Sequence, residues 1–378
     1  MTIADIAPKQ IPENVDEQRV YTATQSQLIW WRFRRHKLAI IGTSVLGVLY
    51  VLAILCEFFS PYLVGRRHDG YEYAPPTRVR IVGPEGELRA PFVYGITKER
   101  HPITLRYQFA EDQSRIYPVS LFVRGNAYKL WGRFQADLHL FGTRDPEGKV
   151  FLFGTDKLGR DLFSRILYGG RISLSIGLVG VFLTFILGLL IGGASGFFGG
   201  VVDEGIQRLI ELLRSIPTIP LWMALSAALP RDWPVTRIYF GITILLSIVG
   251  WTGLARVVRG KLLSLRDEDF VTAARLAGSS EWRLITRHLL PSFTSHIIVS
   301  LTLSIPGMIL GETSLSFLGL GLQPPAVSWG VLLRDAQQVV QVAHHPWLLI
   351  PCLFVIVTVL MFNFLGDGLR DAADPYAR

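Results

Sequence analysis

The sequence predicts an all-α polytopic membrane protein with six transmembrane helices and a β-rich extracytoplasmic insertion between helices 1 and 2. Three observations carry that prediction. Of 378 residues 50% are apolar and only 18% charged, where soluble domains carry roughly a quarter charged. Five uncharged or nearly uncharged runs are long enough to cross a hydrocarbon layer of ~30 Å, which takes about 20 helical residues, and a sixth is interrupted. Residues 61–160, between the first two runs, follow a different pattern. The net charge of +8 reads as an orientation signal on inner loops, not as a nucleic-acid surface. Cys56 and Cys352 both lie in apolar runs, which leaves neither a disulfide framework nor a cysteine metal site.

The N-terminal tail, 1–37, is read as cytoplasmic and ends in an interfacial helix carrying Arg32, Arg34, Arg35 and Lys37. It is too long and too mixed in charge for the n-region of a cleaved signal, so the first span, 38–60, is an anchor. That span has one charge, Glu57, at its outer edge. The remainder, 161–378, holds spans 2–6. The run 172–197 has no charge, nor has 238–255 or 346–366. The run 292–322 is broken only by His296 and Glu312. The candidate 209–229 is weakened by Glu211, Arg214, Pro217 and Pro220, but without it the two membrane sides fall out of register with the charges.

The segment 256–291 is the most basic short loop, with Arg256, Arg259, Lys261, Arg266, Arg275, Arg283 and Arg287. Cytoplasmic loops carry such an excess, so six spans place both termini inside. In the insertion, Ile103–Phe109 alternates apolar and polar residues as a half-buried strand does. Turn residues at Gly83–Gly86 and at Asp145–Gly148, the latter between LHLFG and KVFLFG, suggest hairpins.

No catalytic constellation emerges. Gly260-Lys261-Leu262 lacks the spacing and hydroxyl of a phosphate loop. His344 and His345 have no partner at metal-ligand spacing. Any uphill movement must therefore draw its energy from elsewhere.

Within the basic loop, EDFVTAARLA (268–277) reads as a helix on which Ala273, Ala274, Ala277 and Gly278 form one strip of small residues. Gly278 suits the left-handed residue that ends a helix. Ser279 or Ser280 can cap a second helix with Trp282, Ile285 and Leu289 on its apolar face and Pro291 as its stop. Such a helix pair fits a partner's groove, or equally an interfacial surface hairpin.

These residues carry a resemblance. AAxxxG followed by LLP (Ala273, Ala274, Gly278, Leu289, Leu290, Pro291) resembles the coupling-loop signature of ABC importer permeases. GTDKLGRDLFSRILYGGRISLSIG at 154–177, GETSLSFLGLGLQPPAVSWG at 311–330, NFLGDGLRDAADPYAR at 363–378 and WWRFRRHKLAIIG before and into span 1 are similar to the second membrane subunit of bacterial di- and oligopeptide ABC importers. Thr272 and His288 stand where that family commonly has Glu and Ile, and Asp267, Glu268 and Asp269 supply nearby acidity.

The resemblance implies a type I ABC importer permease architecture and a non-catalytic half of a pore in the bacterial inner membrane. It further implies a homologous second permease, two cytoplasmic ATPase subunits that bind ATP and Mg, and an extracytoplasmic solute-binding protein, with no cofactor bound by this chain. The coupling residues would be Ala273, Ala274, Ala277, Gly278, Trp282, Leu289 and Pro291, and His296 and Glu312 are the intramembrane candidates. Relatives of this type also serve oligosaccharides, opines and nickel. A rival of another class is a membrane-anchored receptor, for which six spans exceed the need. A secondary carrier would usually show internal repeats and several intramembrane charges.

Overall fold

The computed structural model describes residues 24–83, 86–100, 107–230, 232–280 and 283–373. In chain order these form α1 (Gln25–Arg35), α2 (Lys37–Ile54), α3 (Cys56–Phe59), β1 (Arg80–Val82), β2 (Leu88–Arg100), β3 (Tyr107–Leu130), β4 (Phe134–Thr143), α4 (Leu162–Phe198), α5 (Gly200–Ser215), α6 (Thr218–Ala227), α7 (Val235–Leu265), α8 (Asp269–Leu276), a π turn (Leu284–Leu289), α9 (Leu290–Phe317), α10 (Trp329–Leu333), α11 (Val339–His344) and α12 (Ile350–Ala373).

Among the described residues five helical stretches are long and apolar enough to cross a membrane: α2, α4, α7, Arg287–Phe317 and Pro346–Ala373. The sixth is not the straight helix expected over 209–229. It starts at Gly200 as an amphipathic helix and bends by 88° between α5 and α6. Pro217 lies at the break, where proline fixes φ and lacks an N–H to continue the ladder. Two other expectations shift. The helix α7 runs to Leu265, so Arg256, Arg259 and Lys261 extend a spanning helix and the loop proper begins at Arg266. Pro291 stops nothing: it occupies the first turn of α9, where its missing N–H has no partner to lose.

Packing inside the bilayer has little hydrophobic drive, so close backbone approach substitutes for it. Gly188, Gly192 and Gly196 make such a seam between α4 and α7. A Cβ on Gly192 would lie 2.5 Å from the Ala255 carbonyl oxygen, and one on Gly196 3.0 Å from that of Arg259. In the same way Gly42 of α2 meets the Met361 carbonyl of α12 at 2.7 Å.

The insertion is a four-stranded antiparallel meander in the order β1-β2-β3-β4. Residues 84 and 85 of the turn expected at Gly83–Gly86 lie outside the described residues, and the Gly83 N–H donates to the Glu87 carbonyl at 2.8 Å. Residues 103–106 lie outside the described residues, and β3 begins at Tyr107. KVFLFG, expected as a strand after the Asp145 turn, is not one. Its amides are already satisfied: Val150 donates to the Tyr62 hydroxyl at 3.0 Å and Phe151 to the Thr77 hydroxyl at 3.0 Å. The hairpin partner of β4 is instead β3, through a tight turn at Trp131 (φ 53°) and Gly132 (φ 72°).

The sheet is fastened to the end of the first span. The two ring nitrogens of buried His139 face the carbonyls of Ser60 and Asn126, and the Trp131 indole N–H donates to the Ile54 carbonyl at 2.9 Å. GTDKLGRD then starts α4. Asp156 accepts from the amides of Leu158 (2.8 Å) and Arg160 (3.0 Å) and pairs with Arg160 and buried Arg165. Asp161 caps α4 by accepting from the Ser164 amide at 2.7 Å. His345 stacks on Tyr73 at 4.2 Å, which is the role the structure gives that member of the histidine pair.

Candidate coupling surface

The basic end of the bundle presents α8 on a rigid base. The base is a cluster in which Leu254, Val258 and Leu262 of α7, Val271 of α8, Leu284 and Leu289 of the π turn, and Phe293 and Ile297 of α9 are all buried. Beside it, Arg259 of α7 grips Asp203 of α5 with two hydrogen bonds, and Asp203 also accepts from Ser195 of α4. The helix α8, the π turn and the ends of α7 and α9 therefore share one packed core.

A Schellman turn closes α8. The Gly278 N–H donates to Arg275 at 2.9 Å and the Ser279 N–H to Ala274 at 3.1 Å, with Gly278 at φ 78°; this is the left-handed ending a glycine permits. The predicted strip of small residues divides. Ala273, Ala277 and Gly278 are exposed, whereas Ala274 is half-buried and packs on the cluster below. The face that is open is Phe270, Ala273, Leu276 and Ala277, at the helical spacing that puts three- and four-apart residues together. Within that stripe Leu276 is 84% exposed and Phe270 is exposed as well. Neither was singled out from the sequence, although large apolar residues three apart from the small ones were the available signal.

The other candidates scatter. Leu289 is buried in the base, Pro291 sits in the first turn of α9, and Trp282 lies outside the described residues. His296 is exposed on α9 and lines an open cavity of about 550 Å³ with Lys261, Ser292, Ser300 and Arg370. Glu312 is about 24 Å further along the same helix by rise alone and is 0% exposed. Its carboxylate accepts from the hydroxyls of Ser173 (3.1 Å) and Ser316 (2.8 Å). Those serines in turn accept from the amides of Trp329 (3.1 Å) and Leu322 (3.0 Å). Glu312 thus joins α4, α9 and the 320s loop through the hydroxyls of Ser173 and Ser316.

Comparison with known proteins adds the context. Residues 184–378 match the family described as the binding-protein-dependent transport system inner membrane component. The chain belongs to this family. Residues 24–76 match the N-terminal transmembrane domain of oligopeptide transport permease C. The chain is 39% identical to the dipeptide transport system permease protein DppC of Bacillus subtilis over 353 residues, 93% of this chain and 86% of the relative. It is 32% identical to DppC of Lactococcus lactis over 92% of this chain and 90% of the relative. With the oligopeptide transport system permease protein OppC of Haemophilus influenzae it shares 43% identity over 61% of this chain and 72% of the relative. The chain is a multi-pass membrane permease of this family.

Proposed function

We propose that the chain is one permease half of an ATP-driven importer for di- or oligopeptides, and that α8 is the helix by which ATPase subunits drive it. The observation that carries this reading is the exposed Phe270–Ala273–Leu276–Ala277 stripe, closed by the Gly278 turn and seated on a buried cluster shared with two spanning helices. The peptide cargo follows from the relatives named above, each a dipeptide or oligopeptide permease. A homologous permease completes the pore, two ATPase subunits carry ATP and Mg, and a solute-binding protein delivers cargo on the other side. The chain itself does no chemistry. With α8 inside the cell both termini are cytoplasmic, in keeping with the basic residues at that end.

Closure of an ATPase dimer would press α8 of each permease half toward the other. Because α8, the π turn and the ends of α7 and α9 share one core, the push becomes a rigid-body swing of spanning helices between two states. It shifts their populations only insofar as the ATPase binds those states unequally.

The test is uptake of labelled dialanine by proteoliposomes holding this chain, its second permease, the ATPase subunits and the binding protein. ATP-dependent uptake that vanishes when this chain is omitted is expected. Uptake that persists without it, or peptide-independent assembly that moves only another solute class, would overturn the reading.

A further inference from the structure

We propose that the tip of the β3–β4 hairpin is a membrane anchor, with Trp131 and Phe134 set among lipid headgroups and upper acyl chains beside the end of the first span. These two side chains are 53% and 61% exposed and touch each other. Contiguous exposed apolar area of this kind marks an interaction site on a folded protein. The remaining question is what covers it.

Position identifies the lipid bilayer. The Trp131 indole N–H donates to the carbonyl of Ile54 at 2.9 Å, and Ile54 is the last residue of α2, so the ring stands at the level where the span leaves the hydrocarbon. Val48, Val51 and Ile54 are exposed along α2 and form the lipid-facing column that the tip continues. Phe134 packs edge-on to Trp131 at 6.4 Å. Tryptophan belts mark membrane–water interfaces because the ring is apolar and its N–H needs a partner; here the partner is already supplied by backbone.

Chemistry and conformation agree. Lys129 and Arg133 are exposed at the same tip, and among the described residues neither is in an ion pair, which suits phosphate groups of lipids. Trp131 holds φ of 53°, a region unfavourable for bulky residues. Strain of this kind persists where surroundings fix it and often accompanies function. The anchor rests on the chain being a membrane protein and is independent of what it transports. It would hold the sheet in a set attitude over the bilayer, so that any partner meeting the sheet finds it pre-oriented.

The test uses the full-length protein with its partner subunits in vesicles, with Cys352→Ser to leave only buried Cys56. An environment-sensitive fluorophore is attached at Phe134→Cys, at its cross-strand partner Leu130→Cys, and at Gln108→Cys as the control near the opposite end of β3. Blue-shifted emission at 134 and 130, quenched several-fold more by a shallow lipid nitroxide than by aqueous iodide, is expected, with the reverse at 108. Two results would overturn the proposal: iodide quenching at the tip as strong as at 108, which means water covers it, or protection from both quenchers, which means another protein subunit does. Agreement of the two tip positions guards against one label disturbing the hairpin.

Discussion

Replacing Glu312 separates a transport role from a structural one, and the structure sets the size of the effect. The carboxylate is wholly enclosed and accepts from Ser173 and Ser316, with Ser328 close by. Glu312→Leu removes the acceptor and leaves at least two buried hydroxyls searching for another. An unsatisfied buried polar group costs about 1–3 kcal/mol, so the loss is about 2–6 kcal/mol, comparable to the net stability of a whole domain at ~5–15 kcal/mol. Glu312→Gln keeps one acceptor oxygen, and the serines can turn to meet its amide, for a loss of about 1 kcal/mol. Size-exclusion profiles and thermal melting of the detergent-purified protein, followed by uptake, decide the matter. The Leu variant should fail to accumulate as folded protein, whereas the Gln variant should fold and transport. A Leu variant as stable as wild type would refute the network's importance, and a stable Gln variant that has lost transport would return Glu312 to the pore.

Asp161, enclosed at the cap of α4, has its carboxyl pushed up to about 7 by burial. A carboxyl raised in the folded state contributes stability that is full below its unfolded value and lost as pH rises toward the folded one, here roughly 4 kcal/mol across the window. Melting of the wild type relative to Asp161→Asn should therefore fall between about pH 4 and about pH 7; parallel melting curves would contradict it. Gly192→Leu should drive α4 from α7, since its Cβ would meet the Ala255 backbone at 2.5 Å, costing about 3 kcal/mol or more and lowering the recovery of folded protein. Normal yield and melting in that variant would show that the seam yields. Under the membrane-anchor proposal, lipid nitroxide should reach position 134 and not 108.

The bundle was legible because spanning helices announce themselves by uncharged length, and Gly278 because one residue type tolerates the backbone that ends α8. What sequence could not reveal was set by contacts distant along the chain. The bend at Pro217 is readable as a weak point, but its 88° angle depends on what α5 and α6 pack against. Pro291 looks identical as a helix stop and as a first-turn residue, and only the π turn before it tells them apart. Ala273 and Ala274 are the same residue side by side; the buried cluster under Val271 turns one inward and leaves the other open. The Glu312 network draws on Ser173 and Trp329, far apart in sequence, so its carboxylate read as an isolated charge. KVFLFG has strand composition, yet Tyr62 and Thr77 took the hydrogen bonds a neighbouring strand would have made.

The central claim is that the open face of α8 docks ATPase subunits, and two substitutions of opposite charge test it most directly. Ala273→Asp and Leu276→Lys change exposed positions, where substitutions usually stay within about 0.5 kcal/mol of stability. In a protein groove each would bury a charge without a partner, at several kcal/mol, and even ~3 kcal/mol weakens association by more than a hundredfold. Pull-down of ATPase subunits by the purified permease pair is the measurement. Loss of those subunits in both variants, with the permease pair intact, is predicted; because the charges are opposite, a shared loss cannot arise from their sign. Wild-type recovery of the ATPase by both variants would contradict the assignment of α8.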